Sequence, residues 1–289
     1  MFDIMSQAKN AMESYSTKLK SISSNISSMN VSSYKRIEMS FQTVFNQQLS
    51  GGSSAYSAGN EGGTNGIQLG GTVSISATTI DFSTGGDIPG KNLSLKINNG
   101  DKFFIVSPDE GKSFFYAKSG DFKISDNKLL TQNNMQVYGF SVQDNGMSTQ
   151  QLVPIDISNI PGINEADKTK ITWDTNGRLR MSLDVETDGE EAKYGSPLPF
   201  QIALSSFKNT SGLLMTDGLT YYPTISSGPA DVPSAPKAGE VVPRSLEASN
   251  VDYPSEVVDS LEIQRAIDAA MSVIKMANDS ITAFINKLG

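Results

Sequence analysis

The sequence has no cysteine and no histidine. Zinc sites built from thiolates and imidazoles are therefore excluded, as are cysteine nucleophiles and histidine general bases. No disulfide can brace the fold. Of the common catalytic constellations, only carboxylate, lysine or serine–lysine chemistry stays open. Basic residues number 23 against 31 acidic ones, for a net charge of -8. The cations are dispersed, and Lys35-Arg36 is the strongest local pair. A nucleic-acid interface needs a basic patch, so none is expected. No apolar run reaches the ~18 residues that a membrane-spanning helix needs. Met1-Phe2-Asp3-Ile4-Met5 lacks the basic region and apolar core of a secretory signal. The expectation is a chain not inserted in a membrane and not exported by a cleaved signal.

What is present is polar and punctuated. Hydrophobic residues make up 37% and charged residues 19%. Ser, Thr, Asn, Gln and Gly fill the difference, which suits β-rich surfaces better than a dense enzyme core. The two ends differ from the middle. Met5, Ala8, Met12, Tyr15, Leu19, Ile22, Ile26 and Met29 follow an unbroken three-four spacing, as do Ile263, Ile267, Ala270, Ile274, Ala277, Ile281, Phe284 and Leu288. This is the seam of a heptad helix. Pro254 stands near the second helix's start, a favoured position. Pairing within one chain and pairing between chains both satisfy the pattern. Small residues such as Ala270 and Ala277 permit close approach.

The segment from Gln47 to Gly71 is rich in Gly, Ser, Asn and Thr and reads as a linker or extended arm. From Thr72 onward short strands are expected: Thr72–Ser76, Leu93–Ile97, Phe103–Val106, Phe114–Ala117, Asp121–Ile124 and Gln136–Phe140. Asn99-Gly100, Asn145-Gly146, Asn176-Gly177, Asp188-Gly189 and Asp217-Gly218 are turn signals. No βαβ alternation occurs, so an antiparallel sandwich or barrel is expected. Pro229, Pro233, Pro236 and Pro243 mark an extended return to the last helix. The fold class is α+β. Residues 1–36 and 247–289 form a helical domain, 37–75 and 228–246 form arms, and 76–227 form the β-domain.

Each candidate for chemistry has a plainer reading. Gly111-Lys112-Ser113 resembles a phosphate loop, but Val106 stands where that loop needs glycine, so a hairpin turn is expected. Ser32-Ser33-Tyr34-Lys35 matches a Ser-x-x-Lys nucleophile without its companion motifs. Asp174-Thr175-Asn176-Gly177 lacks the spaced acidic loop of a calcium site. Glu190-Glu191 follows a turn, and Asn92-Leu93-Ser94 is a glycosylation acceptor without a secretory context. No catalytic residue, metal ligand or cofactor is assigned.

Five motifs in order resemble the bacterial flagellar axial proteins, the rod and hook group. Ser24-Asn25-Ile26, Asn30 and Ser33-Tyr34-Lys35-Arg36 are similar to that family's Ser-Asn-Ile-Ala-Asn-x-Asn-Thr-x-Gly-Tyr-Lys-Arg run. Phe41-Gln42-Thr43-Val44-Phe45 follows it. Gly100 to Val106 resembles Gly-Asp-Gly-Phe-Phe-x-Val, and Phe115 to Phe122 resembles Tyr-Tyr-Thr-Arg-Ala-Gly-Asn-Phe. Leu246-Glu247-Ala248-Ser249-Asn250-Val251-Asp252, with Gln264-Arg265-Ala266, closes the series. Departures are Ser33 and Lys102 where the family has glycine, and Ile267–Ala270 where it has an aromatic and Asn-rich stretch.

The resemblance implies a hollow tube of many copies, with the terminal helices as coiled coils on its inner wall and the β-domain outward. It implies a structural, non-enzymatic subunit that transmits torque. Its partners would be copies of itself, neighbouring axial proteins and the flagellar type III export apparatus. The helical ends would be disordered before assembly, since a narrow stripe makes an isolated helix marginal. Gly62 to Gly70 is most like compact hook proteins, whereas the length and Phe207–Leu213 also fit the distal rod. Of these the hook is preferred. A secreted β-rich adhesin is the alternative of another class, and a Ser–Lys or carboxylate hydrolase stands third.

Overall fold

The computed structural model describes residues 2–44, 47–50, 67–69, 71–142, 148–158, 169–182 and 194–288. The expected turns at Asn145-Gly146 and Asp188-Gly189, the pair Glu190-Glu191 and most of the Gly-rich segment lie outside them. The fold is α+β, with two α-helices among the described residues and mainly antiparallel β-structure. No helix among the described residues is long and apolar enough to cross a membrane. The chain divides into two compact units, residues 1–27, 37–79 and 252–289 in one and residues 28–36 and 80–251 in the other. The described residues of the first stretch read as an arm, 37–75, lie in the first of these units. Residues 28–36 and 228–251 fold with the β-sheet.

The helical unit holds α1 (Phe2–Ser27) and α2 (Tyr253–Leu288). Asp252 precedes α2, and its carboxylate accepts the Ser255 N–H at 3.4 Å, an N-cap contact. Glu256 in the first turn and Lys287 in the last suit the helix dipole. The Asn25 amide donates to the Glu256 carboxylate at 3.2 Å, so the end of α1 lies beside the start of α2. The two pack along each other and therefore run antiparallel. Strand Ile37–Val44 pairs with Thr72–Ile80, and Gln47–Ser50 pairs antiparallel with Ile67–Leu69. The ribbon leans on α1, where the Ser14 hydroxyl donates to the Val73 carbonyl and that of Thr72 to Gln7. Tyr15 meets Phe41 edge-on at 5.4 Å.

The β-unit is organised on strand Lys102–Ser107. It pairs with Gln136–Val142 and Leu204–Ser206 along one side, and with Phe115–Ala117 on the other. Successive side chains on a strand point to opposite faces. Phe104 and Val106 accordingly enter one core with Leu95, Val137 and Trp173. Phe103 and Ile105 enter a second with Phe82, Tyr138 and Tyr221. That explains the unbroken Phe103-Phe104-Ile105-Val106 run, since both faces are buried. The lone tryptophan is fully buried, and its indole N–H donates to the Leu93 carbonyl at 2.8 Å.

The Pro-rich return is not a free connector. Ser234 exchanges backbone hydrogen bonds with Leu204 at 2.8 and 2.9 Å, and the Asp231 N–H donates to Ser206 at 2.9 Å. Val241–Pro243 then pairs with Leu95–Ile97. The prolines permit this because the donating positions between them are not proline.

Candidate assembly site

The motif residues of the two chain ends meet in two buried polar clusters, one in each unit. In the β-unit the Lys35 ammonium donates to the Glu247 carboxylate at 2.7 Å and to the Ser83 carbonyl at 2.7 Å. Their side chains are 0% and 4% exposed. The same carboxylate oxygen accepts the Gly85 N–H at 2.8 Å, and the Glu247 carbonyl accepts the Ser33 N–H at 2.8 Å. A β-carbon on Gly85 would sit 2.1 Å from the Ala248 carbonyl oxygen, so only glycine fits. Asn250 completes the clasp. Its side-chain oxygen accepts the Arg36 N–H at 2.8 Å, and its amide donates to the Asp81 carbonyl at 2.8 Å. Tyr34 is buried here, and its carbonyl accepts the Asn250 N–H.

In the helical unit Asn25 is the organiser. Its side-chain oxygen accepts the Ile37 N–H at 3.1 Å, and its amide donates to the Ile37 carbonyl at 3.0 Å as well as to Glu256. Asn25 and Glu256 are 1% and 2% exposed. The side chain thus satisfies a strand backbone and ties both helices together.

Beside the Lys35–Glu247 pair lies a second buried cation, which the sequence showed only as a motif letter. Lys118 donates to the carbonyls of Asn99, Gly100 and Lys102 and stands 4.4 Å from the Phe103 ring centre. Burial, together with the charge of Lys35, lowers its pKa to about 7, against the opposing pull of Glu247 and Asp101. Spacing could not reveal it, because its acceptors are backbone carbonyls from a distant strand end.

The remaining residues named from sequence are distributed as follows. On α1, Ile22 is buried with Ala8, and Met5, Met12, Leu19 and Ile26 are half-buried; α1 ends at Ser27, so Met29 lies past the helix in a turn. On α2, Ile263 and Ala277 are buried, Ile267, Ile274 and Ile281 are half-buried, and Phe284 is exposed. Leu288 is the last residue of α2. Asn30, Gln264 and Arg265 are exposed, and the Gln264 amide reaches only Ser260. Leu246 pairs with Ile88 across a two-stranded sheet, and the Ser249 hydroxyl accepts the Val251 N–H.

The nucleophile reading of Ser32–Lys35 loses its base, since the lysine is committed to Glu247. Asp174 is paired to Arg180 at 3.0 Å, and no metal-binding cluster occurs among the described residues. Gly111 turns between two antiparallel strands at φ 94°, as a hairpin requires.

Ser33 has φ 62° and is 1% exposed, and its hydroxyl has no partner among the described residues. This is the position where the family motif carries glycine. Left-handed backbone costs a non-glycine residue about 1–2 kcal/mol, and a buried unpaired hydroxyl adds to that. Glycine's greater unfolded-state entropy returns roughly 0.5–1 kcal/mol. Ser33→Gly is therefore expected to stabilise the β-unit by about 1 kcal/mol, read as a higher urea midpoint at unchanged slope.

A family model described as the C-terminal region of flagellar basal body rod FlgEFG proteins matches residues 242–288. The rod protein FlgG of Bacillus subtilis is 25% identical over 279 residues, 95% of each chain. That of Caulobacter vibrioides is 28% identical over 288 residues, 96% of this chain and 95% of the other. The chain is similar to flagellar rod and hook proteins. The hook protein FlgE of Helicobacter mustelae is 31% identical over 137 residues, but these are 46% of this chain and 29% of that one. The stretch matching the rod and hook family model takes in Glu247, Asn250 and Glu256, and so one side of each buried cluster.

Proposed function

We propose that the chain is a structural, non-enzymatic subunit of the flagellar axis, and specifically of the basal-body rod. The observation that carries the reading is coverage. Rod relatives align along 95% of both chains, whereas the hook relative aligns along 46% of this one. This favours the rod over the hook, which the Gly-rich segment had suggested. The subunits polymerise through α1 and α2, which run as coiled coils within and between copies and form the wall of a tube. The tube transmits torque. Copies of the chain and neighbouring axial proteins are its partners, and the flagellar export apparatus delivers it without a cleaved signal.

The buried clusters suit such a part. A torque-bearing subunit must keep its two chain ends joined under load, and Lys35–Glu247 and Asn25–Glu256 each join residues more than 200 positions apart. Electron microscopy of isolated basal bodies, with the chain carrying a label, tests the reading. Label between the inner and outer rings is expected. Label confined beyond the outer ring would make it a hook subunit, and label absent from the axis would reject the proposal.

A further inference from the structure

Two turns of the β-unit carry the same dipeptide, Asn99-Gly100 and Asn176-Gly177, and hold it differently. An asparagine followed by glycine is open to attack from within. The glycine nitrogen, with no β-carbon beside it, can reach the asparagine Cγ and close a cyclic imide. For this the nitrogen must be free to approach, and the fold decides whether it is.

At Asn176 it is not free. The Gly177 N–H donates to the Asp174 carbonyl at 2.8 Å, and the Asn176 carbonyl accepts the Gln201 amide at 2.8 Å. Gly177 is buried, and a β-carbon there would sit 2.6 Å from the Ile202 and Pro236 side chains. At Asn99 the reverse holds. Asn99 is exposed, and the Gly100 N–H meets no acceptor among the described residues. The Asp101 N–H donates to Asn99 Oδ1 at 3.1 Å, which polarises Cγ and stabilises the oxyanion formed on attack. The Asn99 main-chain carbonyl has only two long contacts, from Lys118 at 3.3 Å and from the Lys102 N–H at 3.4 Å.

We propose that Asn99 is a site of spontaneous modification, converting through a succinimide to aspartate and isoaspartate. The Gly100 nitrogen bonds to Asn99 Cγ, the Cγ–Nδ2 bond breaks, and the proton of the Gly100 N–H ends on the departing ammonia. Water then opens the imide. Addition at Cγ gives aspartate; addition at the main-chain carbonyl breaks the original peptide bond and gives isoaspartate. The consequence falls on Lys118, whose ammonium donates to the carbonyls of Asn99, Gly100 and Lys102. Isoaspartate adds a methylene to the main chain before Gly100 and turns the old Asn99 carbonyl into a carboxylate, so this cradle is re-spaced.

The test holds the full-length protein in mildly alkaline buffer, folded or in guanidinium chloride, and follows both asparagines by peptide mapping and mass spectrometry. In the denatured chain the two are expected to convert alike. In the folded chain Asn99 is expected to convert about tenfold faster than Asn176, the factor for one hydrogen bond retained at Gly177. Equal rates in the folded chain overturn the proposal. So does a faster Asn176, or an Asn99 that stays intact while the denatured chain converts. The isoaspartate form, separated by ion exchange and chromatography, is compared with Asn99→Asp, which adds the same charge without the methylene. A lower urea midpoint for the isoaspartate form is expected, and equal midpoints overturn the link to Lys118.

Discussion

Replacing Lys35 by methionine is expected to lower the stability of the β-unit by about 3–5 kcal/mol. The pair it forms with Glu247 is buried on both sides, so removing the cation leaves a carboxylate out of reach of water. The Gly85 N–H remains as a partner, but one neutral donor does not replace an ammonium. Glu247→Gln is expected to cost a similar amount for the opposite reason, since Lys35 then stays charged and buried beside Lys118. The double variant Lys35→Met with Glu247→Leu removes both charges and is expected to recover most of the loss, because desolvation of two ions largely cancels their attraction. Trp173 is the only tryptophan and is buried in the same unit, so its fluorescence during urea unfolding reads the effect directly. Single variants within about 1 kcal/mol of wild type would show that the pair is not held as described.

Stability of the same unit is expected to rise with pH between about 7 and 9.5, with Lys118 as the source. Its pKa is about 7 in the folded chain against 10.5 for the ordinary side chain. Below pH 7 both states are protonated, and the folded state bears the full penalty of a buried charge. Between 7 and 10.5 the folded chain holds fewer protons, so raising pH favours it. At about 1.4 kcal/mol per pH step, the gain by pH 9.5 is on the order of 3 kcal/mol. Lys118→Met is expected to flatten the profile and to be at least as stable as wild type at pH 6. Lys35→Met removes a repelling charge while keeping Glu247, so it shifts the rise to higher pH. A flat wild-type profile over this window would refute the assignment.

Much of the local structure was readable from the residues. The heptad spacing located both helices because an amphipathic stripe is a one-dimensional signal. It ran two residues too far at Met29, since a turn begins at Ser28 while the spacing happens to continue. The runs at Leu93–Ile97, Phe103–Val106 and Gln136–Phe140 marked strands for the same reason. Strands Ile171–Trp173, Arg178–Ser182 and Tyr194–Ile202 carry no comparable signal. Pro197 and Pro199 interrupt the last, and register shifts where it pairs with the second blur their alternation.

The buried clusters were legible only as letters. Lys35 and Glu247 stand in family-like motifs, but nothing in either segment states that an ammonium and a carboxylate over 200 residues apart share one oxygen-lined pocket. Ser33 is the reverse case. Its departure from glycine was visible at once, and the structure supplies the physical content, a left-handed backbone.

The chain is expected to build a tube through its terminal helices. Electron cryomicroscopy of polymer grown from the purified full-length protein addresses it directly. The expected map shows α1 and α2 of each copy packed against those of neighbouring copies around a hollow axis. A polymer joined only through the β-unit, with the two helices making no contact between copies, would contradict it.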